Sequence, residues 1–496
     1  MSRVDRRTIL AGLAGLSAAP ALANVATAPR AQPREGGARL VPQRDPRAAS
    51  LAMIAEAGLS GDFACIVAAA HSGEVLFAHR PDTALPPASV TKAITAAYAF
   101  DMLGPGHRFE TRVLATGPVR DGRLDGDLVL AGGGAPGLST ADLALLAGRL
   151  KANGLREVTG RFAVWDGALP RVRAIDPDLP PHLGYNASVS GLNLNYNRVH
   201  FEWRRTGAGY DVGLDARAGR YAPQVAHASM EVAARAAPVY RHSTDPETGR
   251  ERWSVARGAL GGGGSRWLPV RDSALYAGDV FRTLARSEGI VLPPATRRAT
   301  PPSGVVLASH VGPPLDEVAR GMLRFSNNMT AEAIGLAATA RADGRPPANL
   351  TASAERMTDW ARARLAMPAS AFVDHSGLGD ASRATPADLC AALVRLGPDG
   401  ALRRGLREIT VREDDGSPAP LSLYAKTGTL NFVSALAGHV RRRSGPPLVF
   451  AILSADLARR AAIPPGGEEG PPGSAAWTGR SRALQFDLVR LWAALV

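Results

Sequence analysis

The sequence predicts an α+β protein: a sheet flanked by helices, built from both ends of the chain and interrupted by one or two inserted β-rich domains. Three observations carry this reading. The 496 residues exceed the length at which one hydrophobic core keeps growing, so more than one domain is expected. Strand patterns at 63–79 and 421–453 stand beside helical patterns at 89–103 and 483–496, at opposite ends of the chain. Between Lys92 and Ser326 lie 233 residues of different texture, too many for a loop inside a compact domain.

Taken in order, Asp5-Arg6-Arg7-Thr8-Ile9-Leu10 leads into an apolar run ending at Ala19, followed by a small-residue cleavage site at Ala21-Leu22-Ala23. Residues 1–23 therefore read as a secretory signal with a twin-arginine pair, and a periplasmic location is expected. The run is too short to span a bilayer. Residues 24–45, rich in Ala, Pro and Arg, read as an exposed linker. Segments 63–70 and 75–79 flank His71-Ser72-Gly73-Glu74 and predict a hairpin. Pro86-Pro87 stops the extended chain, and Ser89 opens a helical pattern with Val90, Ile94, Ala97 and Tyr98 at helical spacing.

Within the long middle stretch, 126–130, 161–165 and 191–200 read as strands, 138–155 as an amphipathic helix and 261–265 as a flexible glycine loop. The closing part predicts a strand at 421–426, a hairpin of 433–441 with 448–453, and a helix over 483–496 with Leu484, Leu488, Leu491, Trp492 and Leu495 on one face. The expected organisation is a catalytic domain from 46–105 and 302–496, with 106–301 inserted.

Composition narrows the function. Hydrophobic residues make up 45% and charged residues 21%, the balance of a soluble globular chain. The net charge of +13 reflects either attraction to an anionic surface, such as cell wall or membrane, or arginine-rich coding. The arginines are scattered and nowhere interleave with aromatics, which argues against nucleic acid. Cys65 and Cys390 both lie in apolar patterns, which favours buried thiols over a disulfide.

Only three lysines occur, against 55 arginines, and two of them stand in motifs. Lys92 ends Ser89-Val90-Thr91-Lys92, an S-x-x-K, and Lys426 opens Lys426-Thr427-Gly428, a K-T-G. Arginine stays protonated at any usable pH, whereas a buried lysine can lose its proton and act as a base. Ser326-Asn327-Asn328 stands between the two motifs. An S-x-x-K alone is a weak signal, since a capping serine near a lysine looks the same locally; the ordered set is specific.

Together these residues supply acyl transfer. Ser89 offers a hydroxyl at a helix start, where free N–H groups and the helix dipole favour developing negative charge. Lys92, three residues on, shares its face and accepts the proton when burial and a nearby cation hold it neutral. Lys426 is expected to remain charged and provide that cation. Ser326 can relay a proton between Lys92 and the leaving nitrogen, and Asn328 can hold Lys92 and a substrate carbonyl. Lys426, Thr427, Gly428 and Thr429 form the strand expected to bind a substrate carboxylate. The N–H groups of Ser89 and Thr429 are the expected oxyanion donors.

The three motifs are shared by β-lactamases and penicillin-binding proteins. With the long insertion, Leu124-Asp125-Gly126-Asp127-Leu128, the run 185–197 (YNASVSGLNLNYN), Asp374-His375-Ser376-Gly377-Leu378 and Arg383-Ala384-Thr385, the chain resembles a D-alanyl-D-alanine carboxypeptidase/endopeptidase of the low-molecular-mass class C penicillin-binding proteins. The resemblance covers nearly the whole mature chain. It implies a penicillin-binding/β-lactamase-like transpeptidase domain that cleaves peptidoglycan stem peptides and cross-links through an acyl-enzyme on Ser89. It also implies inhibition by β-lactam antibiotics.

The chain departs from the family pattern in three places. Gly134-Ala135-Pro136 stands where Gly-Asp-Pro is usual, and His375, read as a loop residue, replaces a small glycine. Ala168 and Pro170 fall near the positions at which relatives place an acid and an aromatic against a side-chain amine, with Asp166 the candidate substitute.

A β-lactamase shares this serine chemistry but resembles the catalytic domain alone, so the insertion argues against it. The intact motifs argue against a catalytically silent cell-wall binding protein. No G-x-S-x-G, H-E-x-x-H, C-x-x-C or Walker A pattern occurs, so no metal and no cofactor is expected.

Overall fold

The computed structural model describes residues 46–464, 467 and 470–494, so the expected signal and linker lie outside the described residues. A six-stranded antiparallel sheet joins the two ends of the chain. Its spatial order is Arg407–Ile409, Leu421–Leu430, Val433–Arg442, Leu448–Ala455, Asp62–Ala69 and Val75–His79. The joining ladder runs from Asp62 opposite Ala455 to Ala69 opposite Leu448.

Strand alternation explains why Leu448–Ala455 is apolar except for Ser454, since both of its faces are buried. Leu448, Phe450 and Ile452 face the C-terminal helix Ser474–Ala493 and pack with Leu484, Leu488 and Trp492. Val449, Ala451 and Leu453 face the opposite layer, with Val90, Ile94 and Leu389. Small residues on that side of the sheet (Ala64, Ala68, Ala435 and Ala437) leave room for the helix Thr91–Leu103, buried from Thr91 to Ala99. A helix apolar all round belongs inside a core. It packs against the helix Asn328–Asp343, which brings two motifs together.

Residues 108–314 carry further sheets. The largest has five strands in the order Thr296–Arg297, Phe162–Trp165, Leu128–Gly132, Arg108–Ala115 and Val305–Pro314. Val305–Pro314 pairs with Arg108–Ala115, so this sheet continues past the expected boundary at residue 301. Two three-stranded sheets carry Arg198–Thr206 and Glu251–Ala256 at their centres. The expected helix is present as Thr140–Ala152, begun by a reciprocal cap between Ser139 and Asp142.

Three local expectations change. Segment 191–200 becomes a strand only from Arg198, because side chains replace the ladder before it. Asn193 and Asn197 accept from the N–H groups of Ser190 and Leu194, and Asn195, Tyr196 and Asn197 all have φ near 50°. The expected loop at 261–265 leads directly into the strand Gly263–Pro269, in which Gly264 passes beneath Trp203 where a side chain would collide with the indole. The last helix begins at Ser474, nine residues before the expected start at 483, because Trp477 and Ser481 are also buried.

Cys65 and Cys390 are both free and buried; burial pushes the Cys65 thiol up to about 12. Among the described residues no helix is long and apolar enough to cross a membrane.

Candidate active site

Ser89 lies in a 3-10 turn, Ala88–Val90, immediately before the helix Thr91–Leu103. The turn is held in an unusual shape, with Ala88 at φ 46°. Two backbones press on it. A Cβ on Gly428 would stand 2.6 Å from the Pro87 oxygen and 3.1 Å from the Ser89 nitrogen. A Cβ on Gly377 would stand 1.8 Å from the Ala88 oxygen, and Gly377 itself has φ 72°. The glycine of the K-T-G is therefore a steric requirement of the close approach between its strand and the Ser89 turn.

Lys92 is fully buried. Its Nζ lies 3.0 Å from Ser89 Oγ, 2.7 Å from Asn328 Oδ1 and 2.7 Å from the Ser376 carbonyl oxygen. Asn328 in turn donates from Nδ2 to the Tyr185 oxygen, at 3.0 Å, which ties the segment around Tyr185 to the motif. Ser326 closes the preceding helix in the left-handed conformation, at φ 55°. Asn327 caps the next helix by accepting from the Thr330 N–H at 2.8 Å. The middle residue of Ser326-Asn327-Asn328 thus fixes the turn that aims its two neighbours.

Lys426 donates to Ser326 Oγ at 3.0 Å and to its neighbour's carbonyl oxygen, Thr427 O, at 2.7 Å. The motif residues form two hydrogen-bonded groups, Ser89–Lys92–Asn328 and Ser326–Lys426. No hydrogen bond joins the two groups directly among the described residues. Thr429 lines the cleft, and its hydroxyl accepts from Arg482 Nη2 at 2.9 Å. The Thr427 and Thr429 side chains are exposed, whereas Lys426 and Gly428 are buried.

Burial lowers Lys92 to about 8, with Asp374 and Glu332 pulling the other way. Burial also lowers Lys426 to about 7, assisted by the charges of Lys92 and Arg407. Lys426, buried beside a second amine, therefore holds its proton less firmly than an ordinary lysine.

The sequence did not single out Glu332, which lies fully buried on the Asn328 helix. Its Oε2 accepts from the His375 N–H at 2.9 Å. Asp374, also buried, accepts from the N–H groups of Ser376, Gly377 and Gly379. These two acids hold the segment whose Ser376 carbonyl faces Lys92. Burial, followed by the charge of Asp374, pushes Glu332 up to about 8. The signal for it was a lone acid in the otherwise apolar run around Ala331 and Ile334.

His375 is a packing residue. Its Nε2 lies 2.8 Å from Ser353 Oγ, and burial lowers its pKa to about 3, which keeps the ring neutral. Asp166 does not substitute as an amine-binding acid: it is buried and paired with Arg297, which also bonds Asp272 at 2.6 Å. The acids in the cleft are Asp176, Asp178 and Asp380. This cleft, of about 820 Å³, has Ser89, Ser326, Asn328 and Thr429 in its lining.

Away from the cleft, His200, Glu202 and Asp215 have the spacing of a cation site. The guanidinium of Arg217 already bridges its two acids, bonding Glu202 at 2.7 Å and Asp215 on both oxygens. The cluster therefore carries its own positive charge.

Residues 48–464 match the D-Ala-D-Ala carboxypeptidase 3 (S13) family. A D-alanyl-D-alanine carboxypeptidase of Actinomadura sp. (strain R39) is 28% identical over 476 residues, covering 88% of this chain and 84% of that protein. Carboxypeptidase Rv3627c of Mycobacterium tuberculosis is 28% identical over 454 residues, covering 86% of each. In fold, the chain is similar to the crystal structure of penicillin binding protein 4 (dacB) from Haemophilus influenzae. That similarity has a TM-score of 0.71 at 19% identity, across 88% of this chain and 99% of that one.

Proposed function

This chain belongs to the D-Ala-D-Ala carboxypeptidase 3 (S13) family, and from that premise we propose that it cleaves D-Ala-D-Ala stem peptides and cross-links of peptidoglycan through an acyl-enzyme on Ser89, with Lys92 as proton acceptor. One observation carries the assignment of roles. A neutral lysine keeps two N–H groups and one lone pair. The two acceptors that can only accept, Asn328 Oδ1 and Ser376 O, take both N–H groups at 2.7 Å, so the lone pair faces the Ser89 hydroxyl.

The steps follow. Ser89 Oγ gives its proton to Lys92 Nζ and attacks the carbonyl carbon of the penultimate D-alanine. The N–H groups of Ser89 and Thr429 receive the resulting oxyanion, each donor worth about 3 kcal/mol in the transition state. The C–N bond then breaks, and the leaving nitrogen takes, by way of the Ser326 hydroxyl, the proton that Lys92 received, which returns Lys92 to its neutral form while Lys426 holds Ser326 in place. Water next attacks the ester; Lys92 accepts its proton and passes it to the departing Ser89 Oγ, which releases the shortened peptide and free Ser89.

The signal pattern of residues 1–23 supports export to the periplasm, where this substrate lies. The Haemophilus influenzae relative has been crystallised complexed with a β-lactam, which supports inhibition of this chain by the same class. Inserted residues Asp176, Leu183 and Tyr185 line the cleft, which supports a role for the insertion (residues 106–301) in shaping substrate access.

Treatment with penicillin followed by peptide mass spectrometry tests the reading. The adduct is expected on the peptide containing Ser89, with none formed by Ser89→Ala. An adduct elsewhere overturns the assignment.

A further inference from the structure

Three consecutive residues before the strand Arg198–Thr206 stand in the left-handed region. Asn195, Tyr196 and Asn197 have φ of 49°, 55° and 55°. Asparagine enters this region readily, but a bulky aromatic does so rarely, and such strain gathers where a side chain must be held in one direction. The two asparagines are anchored. Asn197 is fully buried and donates from Nδ2 to the Ser188 oxygen at 2.7 Å and to Asn193 Oδ1 at 2.8 Å. Asn195 accepts from the Thr140 N–H at 3.1 Å and donates to Thr140 Oγ1 at 2.8 Å. Tyr196, between them, turns outward and is 42% exposed.

A cation and a second ring stand against Tyr196. The Arg198 guanidinium carbon lies 5.7 Å from the centre of the Tyr196 ring and 5.6 Å from that of Trp267. Arg198 is half-buried, and its Nε is shielded without a hydrogen-bond partner. No carboxylate lies within ion-pair distance of it among the described residues. This shelf adjoins the cleft. A Cβ on Gly184 would stand 3.5 Å from Arg198 Cδ and 3.0 Å from the Trp267 oxygen, and the residues on either side of Gly184, Leu183 and Tyr185, line the cleft. The Asn195–Asn197 turn also packs against the helix Asn328–Asp343, whose first residue is bonded to Lys92.

We propose that Tyr196, Arg198 and Trp267 form a saccharide-binding shelf that receives the glycan strand from which the stem peptide in the cleft hangs. The proposal rests on the peptidoglycan peptidase reading above and extends it from the peptide to the sugar. A stem peptide is joined at its N-terminus to an acetylated amino sugar, so a peptide whose other end is held at Ser89 leads to a sugar outside the cleft. The apolar C–H face of a pyranose fits a flat, exposed aromatic ring. A guanidinium with no acid to neutralise it suits the hydroxyl and acetamido oxygens beside that face. One cation set against two rings matches a neutral, hydroxyl-rich ligand, whereas a polyanion calls for several cations together.

The test compares two substrates with the purified full chain: a stem pentapeptide with an acetylated N-terminus, and the same pentapeptide carried on its N-acetylglucosaminyl-N-acetylmuramyl disaccharide. The wild-type protein is expected to cleave the disaccharide peptide with a kcat/KM about 3- to 10-fold higher, chiefly through KM. Tyr196→Asn removes the ring but keeps a residue at ease in the left-handed region, and in it the two substrates become equal to within about 1.5-fold. Tyr196→Phe retains the ring face and most of the preference.

Equal rates on both substrates in the wild-type protein overturn the proposal without any variant and leave the peptidase reading standing. A preference that survives in a folded Tyr196→Asn overturns it too, as does one lost as fully in Tyr196→Phe as in Tyr196→Asn. Cleavage of neither substrate overturns the peptidase reading itself, and the proposal with it.

Discussion

Lys92 Nζ lies 3.0 Å from Ser89 Oγ while Asn328 Oδ1 and the Ser376 oxygen, each at 2.7 Å, claim the two N–H groups that a neutral amine retains. The lysine is therefore oriented as well as desolvated. Orientation and a shifted pKa are separate requirements for a general base, and different residues meet them here.

The pH dependence follows from the burial of the two lysines. Lys92 at about 8 and Lys426 at about 7 both lie below the ordinary lysine value of 10.5. Penicillin acylation should rise with pH and reach half its maximum near pH 8. Glu332 favours the Lys92 ammonium, so Glu332→Gln should move that midpoint downward. A pH–rate profile with an unmoved or raised midpoint counts against the coupling. The same depression acts on stability. The unfolded chain binds more protons between about pH 7 and 10.5, so folding stability gains from these groups as pH rises through that window and is at its lowest below it. Denaturant titrations at pH 7 and 9.5 should show the cost of Lys92, read against Lys92→Met, shrinking at the higher pH.

Arg271 clamps one wall of the cleft. Its guanidinium donates to the carbonyl oxygens of Arg173, Asn186 and Pro181, at 3.1, 2.7 and 2.6 Å. This bound stretch includes Asp176, Leu179, Pro180, Leu183 and Tyr185, all of which line the cleft. Arg271→Met removes the clamp, leaves buried carbonyls without donors and should destabilise the protein by about 3 kcal/mol. Where the variant folds, KM for a stem peptide should rise several-fold, while acylation by the smaller penicillin changes less. Equal losses on both substrates would mean that the clamp does not act through the cleft wall.

Gly335 and His375 form a second dependent pair. A Cβ on Gly335 would stand 2.2 Å from His375 Cγ. Gly335→Ala should therefore cost about 1–3 kcal/mol by overpacking. With His375→Ala the obstacle is gone, and the same change should become stabilising by a few tenths to about 1 kcal/mol through helix propensity. Additive effects in thermal unfolding would refute the contact.

The sequence disclosed what is local and hid what is distant. Ser89 and Lys92 sit three residues apart on one face, and Lys426 to Thr429 lie on one strand, so spacing sufficed for both. Glu332 escaped because its meaning depends on Asp374, 42 residues away, and on the Ser376 carbonyl, a backbone group that no residue type advertises. The segment 191–200 misled because its apolar residues are of strand type, while Asn193 and Asn197 take the hydrogen bonds a partner strand would have made. The early start of the last helix was hidden because residues 474–482 are mostly small or polar, yet Trp477 and Ser481 are buried against the sheet.

The central claim is that Lys92 serves Ser89 as a base and not as a fixed positive charge, and Lys92→Arg tests it most directly. Arginine keeps the charge and nearly the reach, and it is this chain's usual cation, but it cannot surrender a proton. General-base assistance is worth ~10²–10⁴-fold. The measurement is the rate of penicillin acylation of Ser89, followed by mass spectrometry, in a Lys92→Arg protein whose folding is verified by its thermal transition. A rate at least about a hundredfold below wild type is predicted, with Lys151→Arg, on the exposed face of the helix Thr140–Ala152, indistinguishable from wild type. A near-normal rate for Lys92→Arg would contradict the account and leave Lys92 a structural cation.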